Sequence, residues 1–288
     1  MPSDETLPRR SALSLLKPAL VYAALSACSV LFLLPFVWML SMSVQDTRGV
    51  FAAPYEWIPR TLHWENYRDV AALVPFGRYF VNTAIITGLV LAGTLLSSSL
   101  VAYGFSRLRF RGRDVLFALC LSTMMLPGQV TMIPLYVLFA RLGWIDTFYP
   151  LVVPAFFGSP LSIFLLRQFF LTIPREYDEA ALLDGAGRFR IYWSVILPLA
   201  RPALVTVAVL TFLGTWNDFF GPLIYINSTS QATLTLGLSM LKSQIAGSGT
   251  TQWHLLMAAA VLVMVPNIIV FFMAQKHLVK GIAMGGFR

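Results

Sequence analysis

The sequence predicts an all-α polytopic membrane protein with six transmembrane helices, and three observations carry that prediction. Of the 288 residues 57% are hydrophobic and only 12% charged, about half the charged fraction of ordinary soluble domains. Asp, Glu, Lys and Arg are absent from several stretches long enough for a helix to cross the roughly 30 Å hydrocarbon core in about 20 residues. The basic residues between those stretches fall unevenly on the two sides.

Lys17 to Asp46 encloses 28 charge-free residues, which places the first helix at about 18–43. Arg9, Arg10 and Lys17 precede it like the n-region of a signal peptide. The apolar run nevertheless exceeds the roughly 7–15 residues of an h-region, so an uncleaved span is expected. Arg78 to Arg107 encloses 28 and gives a second helix at 80–105. There Gly88, Ala92, Gly93 and Ser97 to Ser99 permit close helix approach. Asp114 to Arg141 encloses 26, for a third helix at 115–138 kinked by Pro127 and Pro134. Asp146 to Arg167 encloses 20, for a fourth at 149–171. Arg201 to Asp218 encloses only 16, but apolar sequence resumes at Phe219. The fifth helix is therefore expected at 202–226 with Asp218 inside it. Lys242 to Lys276 encloses 33, for a sixth at 254–276 containing Pro266 and Asn267.

With both termini on one side, that side and its borders hold 15 of the 21 Lys and Arg residues. This asymmetry places the termini in the cytoplasm. The organisation expected is a cytoplasmic segment 1–17, a six-helix transmembrane domain 18–276 and a cytoplasmic tail 277–288. The segment 44–79 carries Tyr55, Trp57, Trp64 and Tyr67, aromatics of interfacial type, and should lie along the outer surface. Polar 227–253 should be a mobile outer loop or a short surface helix.

Several function classes lose support. The net charge of +8 comes from basic residues between apolar runs, so it fits membrane topology and lipid rather than nucleic acid. Cys28 and Cys120 lie in apolar runs, and His63, His254 and His277 are scattered, so no metal site is expected. No Gly-x-x-x-x-Gly-Lys-Ser/Thr loop binds a nucleotide. An intramembrane enzyme would need paired acid–base groups and an ion-coupled carrier several intramembrane charges, whereas Asp218 is the one acid inside a span.

The loop between the fourth and fifth spans, 172–200, is the informative segment. Pro174 suits a first helical turn, and Glu176, Asp178 and Glu179 meet the positive end of the helix dipole. Gly185 suits a left-handed stop. A helix over 174–184 follows, about 16 Å long, with Tyr177, Ala180, Ala181 and Asp184 on one face. A second helix at 188–197 has Phe189, Tyr192, Trp193 and Ile196 as its apolar stripe and Pro198 as its stop. Physical reasoning leaves two readings: a knob that docks a partner, or a loop lying on the membrane surface.

Glu179-Ala180-Ala181, three residues, Gly185, nine residues, Val195, one residue and Leu197-Pro198 resemble the EAA loop of ABC importer permeases, with Val195 in place of Ile. Asn82-Thr83, Leu126-Pro127-Gly128-Gln129, Ile133-Pro134-Leu135, Trp216-Asn217-Asp218-Phe219 and Pro222-Leu223 are similar to the maltose-type carbohydrate uptake branch. Lys280-Gly281 and the glycine-rich end resemble that branch's second permease. The resemblance implies a type I importer fold, a second related permease and an extracytoplasmic sugar-binding protein. It also implies two ABC ATPase subunits that bind the ATP and Mg, this chain having no cofactor. It makes Tyr177, Glu179, Ala180, Ala181, Asp184, Gly185, Leu197 and Pro198 the ATPase-coupling residues and sends the tail between the ATPases. A permease of the same architecture for glycerophosphodiesters is the alternative. Asn82, Gln129, Asn217 and Asp218 are expected to face the translocation path, with Trp216 and Tyr225 offering aromatic faces to sugar. Asn and Gln also serve to hold helices together, and that reading stands beside the first.

Overall fold

The computed structural model describes residues 12–50, 57–59, 61–247 and 252–285, and side chains up to Lys276. Four helical stretches are long and apolar enough to cross a membrane: Pro18–Ser43, Phe76–Arg107, Tyr149–Thr172 and Trp253–Lys276. Among the described residues two bent helix pairs bring the number to as many as six if each pair counts as one span.

The first helix, α1 (Ala12–Ser43), is peripheral and packs on the last. From Pro18 to Leu40 its side chains are exposed apart from half-buried Met39, and Ser41 to Gln45 are buried. Asn66 in α2 (Glu65–Leu73) holds this end, its amide donating to the Ser43 and Gln45 carbonyls at 2.9 and 2.8 Å. In the described part of the 44–79 segment Val70 and Val74 join the core and Trp57 and Trp64 are exposed. Tyr55 falls outside the described residues.

The second span, α3 (Phe76–Arg107), is the centre of the bundle. It buries a stripe at helical spacing that includes Tyr79, Asn82, Ile86, Val90, Gly93, Ser98 and Ala102. Small residues there let neighbours in: a Cβ on Gly93 would stand 2.7 Å from the Phe156 ring.

The third span is broken rather than kinked. Its halves, α4 (Arg113–Ser122) with a 3₁₀ turn to Met125 and α5 (Gly128–Arg141), meet at 96° across Leu126-Pro127. Pro127 sits in extended conformation at the break, whereas Pro134 is carried inside α5. The residue before a proline disfavours α geometry, and Leu126 and Pro127 are both extended there. The fourth span runs from Tyr149 through a 3₁₀ turn at Val153–Phe157 into α6 (Pro160–Thr172). Gly158 allows that passage with φ +93°.

The EAA loop forms α7 (Glu176–Leu183) and α8 (Arg188–Leu199). Pro198 does not stop the second helix, as the sequence suggested. A π turn at Tyr192–Ile196, with Leu197 N–H bonding the Tyr192 carbonyl, widens the helix so that proline, lacking a donor, fits in its last turn. The chain turns by 78° at Ala200 into α9 (Arg201–Trp216).

Three further expectations are corrected. The fifth helix ends at Trp216, and Asp218 lies in the break before α10 (Phe220–Tyr225). Asn and Asp compete for backbone hydrogen bonds and favour such breaks. The described part of 227–253 holds a helix, the second of the two readings, but not a superficial one, since α11 (Leu234–Gly247) buries Leu234, Leu236, Leu241 and Ile245 in the core. The last helix, α12 (Trp253–Gly285), continues past the border at 276 that charge had set. Residues 286–288, at the end of the tail, lie outside the described residues.

Among the described residues two large apolar cores and a smaller cluster of Ile86, Val90 and Val152 result. One, at the α11 end, joins Val70, Tyr79, Trp216, Leu241 and Ala258. The other, at the EAA-loop end, joins Ala102, Leu166, Phe170, Ile191, Ile196 and Val207.

Candidate functional site

Helix α7 is stopped by a complete Schellman motif. Gly185 has φ +78°; its N–H bonds the Leu182 carbonyl at 3.0 Å, and the Ala186 N–H bonds the Ala181 carbonyl at 2.9 Å. These are the 5→2 and 6→1 bonds of that motif. Ala181 and Ala186 pack against the loop-end core, supplying its apolar contact.

This packing splits the face read from the sequence. Ala181 is half-buried, whereas Glu179, Ala180, Asp184 and Gly185 are exposed, as is Tyr177. Leu183, which sequence reasoning omitted, is 90% exposed and extends the Tyr177–Ala180 surface. In α8 the register also shifts. Ile191, Tyr192 and Ile196 are buried, whereas Phe189 and Trp193 of the expected apolar stripe face outward; the π turn starting at Tyr192 brings Ile191 and Ile196, five residues apart, to the same buried side. Leu197 is half-buried against the core and Pro198 exposed.

The inner face of α7 holds a pair that charge counting did not reveal. Arg107, at the end of α3, meets Asp178 at 3.0 Å with its side chain only 4% exposed. Its second terminal nitrogen donates to the Phe170 and Ile173 carbonyls, both at 2.8 Å, and so caps the C-terminus of α6. Arg107 had counted only as one more cytoplasmic charge and Asp178 as a dipole partner. Arg167 turns instead to α4, its guanidinium 4.1 Å from the centre of the Phe117 ring.

The six proposed path residues do not gather at one place. Asn82 is buried, and its amide donates to the Ser230 and Ala232 carbonyls at 3.1 and 2.9 Å. Trp216 is 4% exposed, bonds the Val263 carbonyl at 3.2 Å and stacks on Phe212. Tyr225 is buried, stacked on Tyr136 with its edge toward Phe139. All three sit in helix seams. Gln129 is exposed at the start of α5, and Asn217 is exposed on a reciprocal amide pair with Asn267 at 3.2 and 3.0 Å. Asp218 accepts from the Gly221 N–H at 3.1 Å, while its carbonyl accepts from Thr235. It borders a cavity of about 130 Å³ shared with Thr83, Thr215 and Thr233.

A second polar junction joins the ends of the third and fifth spans. Asp146, at φ +61°, accepts from the N–H groups of Asn227 and Ser228 at 2.9 and 2.7 Å and from the Ser228 hydroxyl. The Ser228 hydroxyl and these amides hold its carboxyl below the usual aspartate range. Among the described residues no three His, Cys, Asp or Glu side chains gather as a metal site would require.

A bundle with broken spans and a helical knob beyond its end is the architecture of a transport permease. The chain belongs to the family described as binding-protein-dependent transport system inner membrane component, whose model matches residues 90–284. It is 34% identical over 255 residues to the probable ABC transporter permease protein YurM of Bacillus subtilis (strain 168), covering 88% of this chain and 83% of that protein. Identity is 35% over 244 residues with the sn-glycerol-3-phosphate transport system permease protein UgpE of Pectobacterium atrosepticum, covering 82% of this chain and 85% of that one. With the probable starch degradation products transport system permease protein AmyC of Thermoanaerobacterium thermosulfurigenes it is 34% over 260 residues, covering 90% and 93%. The fold matches a chain from the crystal structure of a bacterial ABC transporter involved in the import of the acidic polysaccharide alginate. The TM-score is 0.82 at 24% identity, over 94% of this chain and 99% of that one. The protein is therefore a multi-pass inner-membrane permease of a bacterial, binding-protein-dependent ABC importer, and it is a transport subunit rather than an enzyme.

Proposed function

We propose that this subunit forms half of the translocation path of an ATP-driven sugar importer, paired with a second related permease. Two ABC ATPase subunits dock on α7 and bind the ATP and Mg, and an extracytoplasmic binding protein delivers the sugar at the opposite end. The termini and α7 are then cytoplasmic, the side to which the Lys and Arg asymmetry assigns them. The supporting observation is the exposed face of Tyr177, Ala180, Leu183 and Asp184 on a helix whose other side is anchored to the bundle. Ala180 lets a partner surface come close, and Glu179 and Asp184 offer carboxylates to its basic groups.

The relatives named above include permeases for starch degradation products and for sn-glycerol-3-phosphate, so the cargo lies between a neutral sugar and a phosphoester. Gln129, Asn217 and Asp218 favour the sugar. They offer amides and one acid, whereas an anionic phosphate calls for Arg forks or Lys point charges. Proteoliposomes holding the complete importer decide between them. Uptake that requires ATP and the binding protein, and that unlabelled oligosaccharides suppress, supports the sugar reading. Suppression by glycerol-3-phosphate alone transfers the assignment to the phosphoester, and uptake independent of the ATPases refutes the importer mechanism.

A further inference from the structure

The EAA loop is joined by peptide bonds only to the fourth and fifth spans. The second span reaches it through side chains, and its polar contacts form a ladder. Ser99, Tyr103 and Arg107 stand four residues apart, on one face of α3. The Ser99 hydroxyl meets the Tyr192 hydroxyl at 2.7 Å in the π turn of α8. The Tyr103 hydroxyl donates to the Arg188 carbonyl at 3.1 Å, and its ring lies 5.2 Å from that of Tyr192. Arg107 meets Asp178 in α7 itself while capping α6 through Phe170 and Ile173. The three rungs therefore grip the coupling helix, the start of α8 and its π turn in turn.

We propose that Arg107, paired with Asp178, is the positioning residue that makes the second span follow the coupling helix, with Tyr103 and Ser99 as the remaining rungs. This inference rests on the reading of α7 as the ATPase docking helix. Packed apolar helices slide past one another at modest cost, which is the basis of shear motions. A buried charge pair resists sliding, because separating it leaves both charges uncompensated. The planar guanidinium adds direction, fixing one carboxylate and two carbonyls at set angles as a lysine cannot. A displacement of α7 is thus shared at once by α3 and α6, so the ATPase stroke enters the centre of the bundle and not only the two spans that flank the loop.

The test needs no identified cargo. In the assembled importer, with Cys28 and Cys120 replaced by serine, nitroxide labels are placed at the exposed positions Leu31 in α1 and Leu96 in α3. Their distance is measured with and without ATP and vanadate. The wild-type pair changes distance on trapping. In Asp178→Asn and Arg107→Gln the ATPases still bind and hydrolyse, but the shifted population falls by about tenfold, corresponding to about 1.4 kcal/mol of lost coupling. Asp178→Glu restores the shift. If a charge variant fails to insert, Tyr192→Phe removes a single hydroxyl and lowers the shifted population about threefold. A full shift in these variants, or no shift in the wild type, overturns the proposal. Ala180→Arg in the same preparation separates the two readings. Loss of ATPase binding there with a full shift in Asp178→Asn refutes only the ladder, whereas retained binding in Ala180→Arg refutes the docking reading beneath it.

Discussion

Gly185 offers the most direct perturbation of the coupling loop. A Cβ added there meets nothing within 4 Å, so any substitution cost is conformational and not steric crowding by neighbours. Holding an L-residue at φ +78° costs about 1–2 kcal/mol, and more for a β-branched side chain. Leaving that conformation instead breaks the 5→2 and 6→1 bonds, each worth about 0.5–1.5 kcal/mol. Either route disfavours the native end of α7 by about 1–3 kcal/mol, a factor of roughly 5 to 150 in the population of docking-ready loops. The residue lies outside the spans, so membrane insertion is unaffected. Co-purification of the ATPases and ATP-dependent uptake are therefore expected to fall in the order Gly, Asn, Ala, Val. Asn stays nearest to wild type because it tolerates the left-handed region. Equal assembly and uptake for Gly185→Asn and Gly185→Val, both at the wild-type level, would refute the reasoning.

The two alanines of the loop should separate by burial. Ala180→Arg blocks ATPase association in pull-down assays while the permease keeps its melting temperature, whereas Ala181→Arg, forced into the loop-end core, lowers that temperature by crowding worth about 1–3 kcal/mol. Gly237→Ala collides with the buried Tyr79 ring and should cost a similar 1–3 kcal/mol in detergent melts, where Gly88→Ala, with open space around it, changes little. The outer junction depends on acid in a known direction. The Ser228 hydroxyl and the Ser228 and Asn227 amides hold the folded Asp146 carboxyl below the usual aspartate range, so its contribution is fully present above the unfolded pKa and is lost as pH falls through the lower folded one. Hydrogen exchange at Asn227 and Ser228 should then accelerate only in strong acid, beyond the intrinsic pH dependence, and Asp146→Ala should abolish that protection at neutral pH.

Much of this protein is written locally. Span positions follow from charge-free length, because the cost of a charge in hydrocarbon acts residue by residue. The end of α1 at Ser43 and the start of α12 at Trp253 lie within a residue of the expected borders. The stop at Gly185 was equally legible, since a left-handed turn is a property of one residue and its immediate neighbours. Helix α11 left a readable trace too: Leu234, Leu238, Leu241 and Ile245 recur at helical spacing, but Ser, Thr and Gly between them hid the signal within a charge-poor outer loop. Tertiary structure decided the rest. Asn82, Trp216 and Tyr225 have the chemistry of a sugar path, yet helix packing assigns them to seams, where each donor or ring finds a partner from a distant segment. Asp218 became a break residue once its carboxylate could cap α10. Arg107 and Asp178 stand far apart in the chain, and nothing local distinguishes them from the other cytoplasmic charges. Their pairing exists only because α3, α6 and α7 converge, and a buried charge takes its meaning from whichever partner the fold brings to it.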